Sequence, residues 1–217
     1  MTTFEDPVPD AESLIPPSLR VIGLVGGVAS GKSLVARQLA ELGAGLLDAD
    51  RAGHEVLGLP EVEAGARARW GERVFGPDGR IDREKLAGVV FSPPPEGSIE
   101  RKFLEKLTHP EIGRRVGRQA AGLAALGNRV AVLDAPLILE AGWDKLCSRL
   151  LFVDAPRRAR LARAVARGWT EEEFAAREAV QLPLDRKRRL ADLVVDNSGS
   201  PEQTRARLER LWPSLVD

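Results

Sequence analysis

The chain has a single cysteine, Cys147, among its 217 residues. A disulfide framework needs paired cysteines and a cysteine-based zinc site needs several, so both are excluded. The only histidines, His54 and His109, stand far apart and make a poor metal site. A chain of this length buries a sizeable core without such staples. The sequence therefore predicts one elaborated domain, or two small ones.

Net charge and long apolar runs are also missing. Lys and Arg together number 32, as do Asp and Glu, so the formal net charge is zero. A protein that wraps a phosphate backbone usually carries a basic excess, which argues against a nucleic-acid partner. No apolar run approaches the ~18 residues of a membrane helix. Residues 1–18 lack the pattern of a signal peptide, and their prolines and acidic residues predict a disordered extension. We expect a cytoplasmic protein with no membrane partner.

What the chain does have is an alternation of short apolar runs and helical patterns. Strands are predicted at 20–25, 44–47, 129–134, 149–154 and 193–195, and helices at 33–42, within 51–126, and at 157–167, 171–181 and 201–212. This alternation predicts an α/β fold with a parallel sheet flanked by helices. The helical stretch 51–126, broken by turn 76–79 and by Pro93–Pro95, is long enough to form a separate lobe.

The segment after the first predicted strand matches the pattern G-x-x-x-x-G-K-[ST] and precedes a predicted helix. Backbone amides of such a loop, with the helix N-terminus, form an anion site. Lysine at its seventh position reaches the β- and γ-phosphates, and the hydroxyl that follows ligates Mg²⁺. The sequence therefore predicts binding of a nucleoside triphosphate. The segment is Gly26, Gly27, Val28, Ala29, Ser30, Gly31, Lys32 and Ser33.

Carboxylates follow two of the predicted strands. Asp48 and Asp50 come at the end of the second strand, at the sheet edge where ligands of open α/β sheets bind. There a carboxylate can deprotonate an attacking hydroxyl or hold Mg²⁺ through water, or it can merely cap the next helix. Asp134 ends the third strand, where a magnesium role and a capping role are both open.

Segment 157–189 holds ten basic and five acidic residues. Arg163 and Arg167 are four apart, so they share one helix face, and Gly168 can end that helix. Planar guanidinium groups stabilise the charge of a transferring phosphoryl group well, which favours a hinged lid over the nucleotide. The alternative is a solvated basic helix, since Arg outnumbers Lys by 26 to 6 throughout the chain.

Taken in order, these motifs resemble the dephospho-CoA kinase family. The loop alone occurs in many unrelated proteins, whereas the ordered series is far more specific. The resemblance runs from about Val21 to Trp212, and its segments are the loop, Asp48-Ala49-Asp50, 78–83, Phe91, 107–112, 134–140, Arg163, Arg167-Gly168, Arg177, Gln181 and 191–199.

The resemblance implies a P-loop NTPase fold with three parts. They are a nucleotide-binding core (19–50, 127–155 and 190–217), a helical acceptor lobe (51–126) and a small lid (156–189). The implied reaction is ATP-dependent phosphorylation of the ribose 3′-hydroxyl of dephospho-CoA, the last step of coenzyme A synthesis. The implied partners are thus small molecules, with Mg²⁺ as the accompanying ion.

The resemblance also implies roles for single residues. Asp50 is the base, Lys32 with Mg²⁺ neutralises the phosphates, and Arg163 and Arg167 are lid arginines. Residues 26–34 and Asn197 contact ATP. Leu34 stands where the family often has Thr, but Ser33 still offers the hydroxyl that faces the metal. The residues mapped to the acceptor side are Asp50, Asp82, Arg83, His109 and Glu140.

Two other functions stay open at this point. One is another P-loop kinase acting on a nucleoside, a nucleotide or a shikimate-like alcohol. The other is a nucleotide switch or binding module, although the guanine-reading motif N-K-x-D is absent from the sequence. The oligomeric state is not encoded in these motifs, and we expect a monomer.

Overall fold

The computed structural model describes residues 14–93, 95–135 and 137–216. Most of the predicted N-terminal extension, residues 1–13, and the middle of the proline run, Pro94, lie outside these ranges. The described residues divide into two compact units: a larger one of residues 14–48 and 118–216, and a smaller one of residues 49–117.

A five-stranded sheet organises the larger unit. Its strands are β1 (Arg20–Gly26), β2 (Gly45–Asp48), β3 (Val130–Asp134), β4 (Arg149–Asp154) and β5 (Leu193–Asp196). They lie in the order β2-β3-β1-β4-β5, and every neighbouring pair is parallel. The predicted parallel α/β sheet is therefore confirmed.

The helices have the positions that the alternation predicts, with differences at several ends. Helix α8 was not predicted, and α9 continues four residues past its predicted end despite Pro213. None of the helices in the described ranges has the length and apolarity needed to cross a membrane. The helices are α1 (Lys32–Glu41), α2 (Ala49–Val56), α3 (Pro60–Trp70), α4 (Arg83–Val90), α5 (Glu96–Ala125), α6 (Arg157–Val165), α7 (Glu171–Ala179), α8 (Leu184–Leu190) and α9 (Pro201–Val216).

Burial along the strands explains their composition. In the central strands β1 and β3, ten of twelve residues are buried, because helices cover both faces of a parallel sheet. The edge strand β2 instead alternates buried and exposed positions, so Leu46 is 45% exposed. The core formed by the strands with α1 and α9 supports the edge of the sheet from which the loops emerge.

The smaller unit has an apolar core of its own, formed mainly by α3 and α4. Trp70 of α3 meets Phe103 of α5 edge to face, with ring centroids 5.3 Å apart, and its indole N–H donates to Glu100 at 2.7 Å. The predicted turn at 76–79 closes a short bridge between Phe75 and Ile81. This unit is therefore helical apart from one small bridge.

Candidate active site

The phosphate-binding loop emerges from the centre of the sheet. Strand β1 lies between β3 and β4, and residues 27–31 connect it to α1 at the point where the strand order reverses. Ala29 and Gly31 have left-handed backbones, with φ of 56° and 98°. Gly31 precedes α1 and contributes no side-chain cap, so the first amides of this helix remain available to an anion.

Two glycines of the loop are required by close approach of other side chains. A Cβ on Gly31 would overlap the side-chain amide of Asn197, and one on Gly27 would lie 2.7 Å from an Nη1 atom of Arg160. Any larger residue at either position would push these groups away. The loop therefore folds as a backbone surface that neighbouring polar side chains touch directly.

Lys32 lies at the start of α1 and folds back over the loop. Its Nζ donates to the carbonyl oxygen of Gly27 at 3.2 Å. The pKa of Lys32 is lowered to about 8, first by burial and then by the positive charge of Lys187, against the opposing charges of Asp134 and Glu140. A phosphate bound at the loop would raise this pKa again, because its negative charge favours the ammonium form of Lys32.

Arg163 and Asn197 brace the loop from outside. Nη1 of Arg163 and Nδ2 of Asn197 both donate to the carbonyl oxygen of Ser30, at 3.0 and 2.7 Å. Nη2 of Arg163 also donates to the backbone oxygen of Asn197 at 2.6 Å, and Thr204 donates to its Oδ1 at 2.8 Å. Because these donors converge on one carbonyl, they fix the peptide plane just before Gly31.

Arg160 is a second arginine at the loop, and no sequence motif predicts a role for it. It is only 2% exposed. Its Nε donates to Ala155 O at 3.1 Å, and Nη1 donates to Val28 O at 3.2 Å and to Glu178 Oε1 at 2.5 Å. Its spacing of three residues before Arg163 puts both on one helix face, which was the signal available in the sequence.

Arg167, paired with Arg163 in the sequence analysis, is placed differently. It lies two residues past the end of α6 at Val165 and is exposed. Within the described ranges no side-chain hydrogen bond connects it to the loop. The structure thus brings Arg163 to the loop and leaves Arg167 in solvent.

An apolar cluster attaches α7 to the same loop. Phe174 of α7 is fully buried and packs with Val28 of the loop and Ala164 of α6, and Ala29, Leu161 and Trp169 surround them. The guanidinium group of Arg160 lies 5.6 Å from the ring centroid of Phe174. The helical pair α6 and α7 is therefore packed against the phosphate loop.

Carboxylates end four of the five strands. Asp48 and Asp134 are register partners at the ends of β2 and β3, and Asp154 and Asp196 are partners at the ends of β4 and β5. Asp154 pairs with Arg188, and Asp196 pairs with Arg207. Asp134 is close enough to Lys32 to raise its pKa, which places this carboxylate at the loop.

Oxygen donors suited to a magnesium ion are few. Ser33 is exposed in the first turn of α1, and Asp134 is half-buried at the end of β3. The described part of the chain contains no group of three or more His, Cys, Asp or Glu residues that could hold a metal ion.

The sequence placed Asp50 at the end of the second strand, and the structure has it two residues past that end. Strand β2 ends at Asp48, and α2 begins at the next residue, so Asp50 lies in the first turn of a helix. A carboxylate is stabilised there by the helix dipole. Its side chain is 59% exposed, and its Oδ2 lies 3.9 Å from Nε2 of His54. The carboxylate is therefore accessible to a substrate.

The residues mapped to the acceptor side differ in their surroundings. Asp82 is the N-cap of α4, and its Oδ1 accepts from the amides of Glu84 and Lys85. Arg83 is exposed. His109 is 8% exposed in α5, and burial lowers its pKa to about 4.

Glu140, the remaining residue of that set, belongs to the larger unit and has partners of its own. Its Oε1 accepts from Leu182 N at 2.9 Å and pairs with Nζ of Lys187 at 2.8 Å. Gln181 adds a second acceptor for Lys187, at 2.9 Å. No motif in the sequence distinguishes Lys187 from the exposed arginines of helix α8.

Comparison with known sequences covers most of the chain. The sequence profile of the family described as dephospho-CoA kinase matches residues 20–203. The dephospho-CoA kinase of Symbiobacterium thermophilum is 40% identical over 197 residues, which is 89% of this chain and 80% of that protein. The dephospho-CoA kinase of Carboxydothermus hydrogenoformans is 40% identical over 194 residues, covering 88% of this chain and 91% of that protein.

Solved structures agree on the fold. The crystal structure of TT1252 from Thermus thermophilus superposes with a TM-score of 0.76 at 35% identity, covering 91% of this chain and 98% of that one. Dephospho-CoA kinase from Campylobacter jejuni superposes with a TM-score of 0.58 at 21% identity over 91% of this chain and 98% of that chain, a likeness of fold.

Proposed function

The chain belongs to the dephospho-CoA kinase family, and we propose how its residues divide the work of the reaction. The protein is a kinase that transfers phosphate from ATP to the ribose 3′-hydroxyl of dephospho-CoA, giving coenzyme A and ADP. The observation that carries this function is the match over residues 20–203, which includes the phosphate loop. The roles below are supported by the geometry of the site.

ATP is bound by the loop of residues 26–34. The free amides at the start of α1 and the left-handed turns at Ala29 and Gly31 suit the β- and γ-phosphates. Lys32 leaves the carbonyl of Gly27 and binds the phosphates, whose negative charge favours its ammonium form. Asn197 lies against Gly31, and the resemblance places it near the adenine base.

Mg²⁺ is held by the hydroxyl of Ser33, with Asp134 behind it. Both offer oxygen atoms, which are the ligands this ion prefers. When bound, the ion neutralises charge that develops on the phosphates during transfer. Ser33 in the first turn of α1 would offer its hydroxyl to the ion, and Asp134 at the end of β3 would add a carboxylate nearby.

Asp50 removes the proton from the acceptor hydroxyl. Its carboxylate is exposed, lies in a helical first turn and follows the sheet edge by two residues, so it is accessible and held on a rigid element. Asp48, the other carboxylate of this motif, has its backbone N–H bonded to Gln119 at 2.9 Å and ends the strand. We assign it to the sheet edge and not to the chemistry.

The arginines act in two ways. Arg163 holds the Ser30 carbonyl and thereby the shape of the loop, close to the transferring phosphate. Arg167 is exposed one turn later and supplies the guanidinium that reaches the γ-phosphate when the lid, residues 156–189, closes. Arginine forks in that position stabilise the spread negative charge of the transferring group.

The lobe of residues 51–126 receives the acceptor, and the resemblance assigns Asp82, Arg83, His109 and Glu140 to its binding. Its helical elements follow directly after Asp50 in the chain. We propose that the enzyme works as a monomer in the cytoplasm, with small-molecule substrates and no nucleic-acid partner.

The test is an ADP-release assay with purified protein, Mg·ATP and dephospho-CoA, with a nucleoside and shikimate as control acceptors. ADP formed only with dephospho-CoA, and phosphate mapped to the 3′-oxygen by mass spectrometry, supports the assignment. ADP formed with another alcohol would show that this alcohol, and not dephospho-CoA, is the acceptor. Slow release of ADP without any acceptor would favour a nucleotide switch.

The base is tested in the same assay. Asp50→Asn should lower kcat roughly 10²–10⁴-fold, the range expected for loss of a positioned base, and leave ADP affinity unchanged. Asp48→Asn is the matched control and should lose far less activity. Near-normal turnover of the Asp50 variant would remove that residue from the base role.

A further inference from the structure

Lys187 is one of few charged side chains in the described ranges that are almost completely buried. Its residue is 2% exposed, and its side chain is 3% exposed in the ion pair with Glu140. Lysine is almost never fully buried unless it is paired, because burial removes the ammonium group from water. The partners that Lys187 has are therefore the reason it can occupy this position.

Those partners join three separate segments. Glu140 lies in the turn after β3, Gln181 lies between α7 and α8, and Lys187 lies in α8. The same Glu140 Oε1 also accepts from the backbone N–H of Leu182. One ammonium and one carboxylate oxygen thus hold the end of the lid to the turn that follows Asp134.

Helix α8 connects this ion pair to the phosphate loop. Leu184 stands three residues before Lys187, so both side chains lie on one face of the helix. A Cβ on Gly27 would lie 3.1 Å from Cδ2 of Leu184, so this face of α8 covers the loop. The charge of Lys187 also acts directly on the ammonium group of Lys32.

A buried ion pair of this kind is weak evidence for a contribution to stability. Desolvating two charges offsets most of their attraction, and apolar replacements of equal volume are often neutral. An ion pair next to a reaction centre can instead serve to position the reacting groups. Displacements of those groups by about 1 Å can reduce an enzyme's rate about 10²-fold.

We propose that Lys187 is a positioning residue for phosphoryl transfer, which fixes α8, and through it the phosphate loop, by its buried bonds to Glu140 and Gln181. The inference rests on the function proposed above. Lys187 does not supply the loop amides that bind the phosphates, so nucleotide affinity depends on it little. It sets the alignment of Lys32 and of the lid with the phosphoryl group that is transferred.

The experiment compares Lys187→Met with wild type in kcat, KM and ADP affinity. We expect kcat to fall about 10²-fold, as for a small misplacement of reacting groups, and the Kd of ADP to change less than about threefold. Arg189→Met is the matched control, since Arg189 is an exposed cation two residues further along the same helix. It should keep kcat within twofold of wild type.

The double variant Glu140→Gln with Lys187→Met distinguishes a positioning role of Lys187 from a purely structural role. Removing both charges leaves no unpaired carboxylate, so the thermal midpoint should return toward that of wild type. We expect kcat at saturating acceptor to stay about 10²-fold low even so, because the tie between the three segments is absent. The double variant also carries the test if the single variant does not fold.

Three results would overturn the inference: kcat of Lys187→Met within threefold of wild type, recovery of kcat in the double variant, or an ADP affinity that falls in parallel with kcat. The proposed function fails in a different way, when wild type releases no ADP with dephospho-CoA. If wild type then uses another acceptor, the same comparison on that acceptor still decides the role of Lys187.

Discussion

Replacement of Arg160 by methionine tests how strongly the phosphate loop depends on helices α6 and α7. Methionine keeps most of the apolar stem and removes the guanidinium group. The change deletes the bonds to Ala155 O, Val28 O and Glu178. Glu178 keeps a partner, since Nε of Arg157 donates to its other oxygen at 3.1 Å. The two backbone carbonyls lose the donor that Arg160 supplied.

The expected loss of stability follows from the number of hydrogen bonds that the substitution removes. Leaving a buried acceptor without its partner costs about 1–3 kcal/mol, so two carbonyls give about 2–6 kcal/mol as an upper range. The surviving Arg157 pair keeps Glu178 from adding the larger cost of an isolated buried charge. We therefore expect Arg160→Met to lower the free energy of unfolding by about 3 kcal/mol, roughly a 10²-fold change in the unfolding constant.

Urea unfolding followed by circular dichroism measures this free energy. Arg158→Met is the control, because Arg158 is an exposed cation on the same helix. It should change the unfolding free energy by less than about 0.5 kcal/mol, as surface substitutions do. If the two variants unfolded at the same urea concentration, the bonds of Arg160 to the loop would contribute nothing, and the reasoning would be refuted.

Three further predictions use single side chains. Lys32→Ala should abolish ADP release in the acceptor assay with an unchanged circular dichroism spectrum, and full activity would refute the loop assignment. Burial holds the pKa of His109 at about 4, below its ordinary 6.5. The unfolded chain therefore binds the extra proton first as the pH falls, and wild type should lose about 2 kcal/mol of stability between pH 7 and pH 5. His109→Gln should remove that loss in urea titrations, whereas His54→Gln should keep it. Burial, with Asp144, raises the pKa of Cys147 to about 12, so at pH 8 its thiol should react with a disulfide reagent about 10³-fold more slowly than in the urea-unfolded chain. Equal rates by absorbance would contradict this.

The sequence predicted the parallel sheet and the loop well because both are encoded locally. A buried parallel strand is a continuous apolar run, as in Val21–Val25, and the loop pattern is contiguous from Gly26 to Ser33. Gly27 and Gly31 are part of this contiguous pattern. The structure adds that Arg160 and Asn197 approach them.

Other features could not be read from local pattern. Arg160 and Lys187 are buried, while Arg158 and Arg189 beside them are exposed, and only tertiary contacts distinguish the members of each pair. Helix α8 has seven residues, of which four are basic, so it shows no usable apolar periodicity. Asp50 was expected at the end of the second strand, either as a reactive carboxylate or as a cap of the next helix. Nothing in the sequence shows that α2 begins directly after Asp48.

The bond from Asn197 to the carbonyl of Ser30 joins residues 167 positions apart, and the bond from Arg163 to the same oxygen spans 133 positions. Contacts of such sequence separation form late in folding, because long loops must close first. During synthesis on the ribosome, the phosphate loop is therefore complete long before Arg163 and Asn197, which hold it, have been added to the chain. Nucleotide binding should appear only once β5 and the start of α9 are present, so ligand competence waits for a segment synthesised 167 positions after the loop.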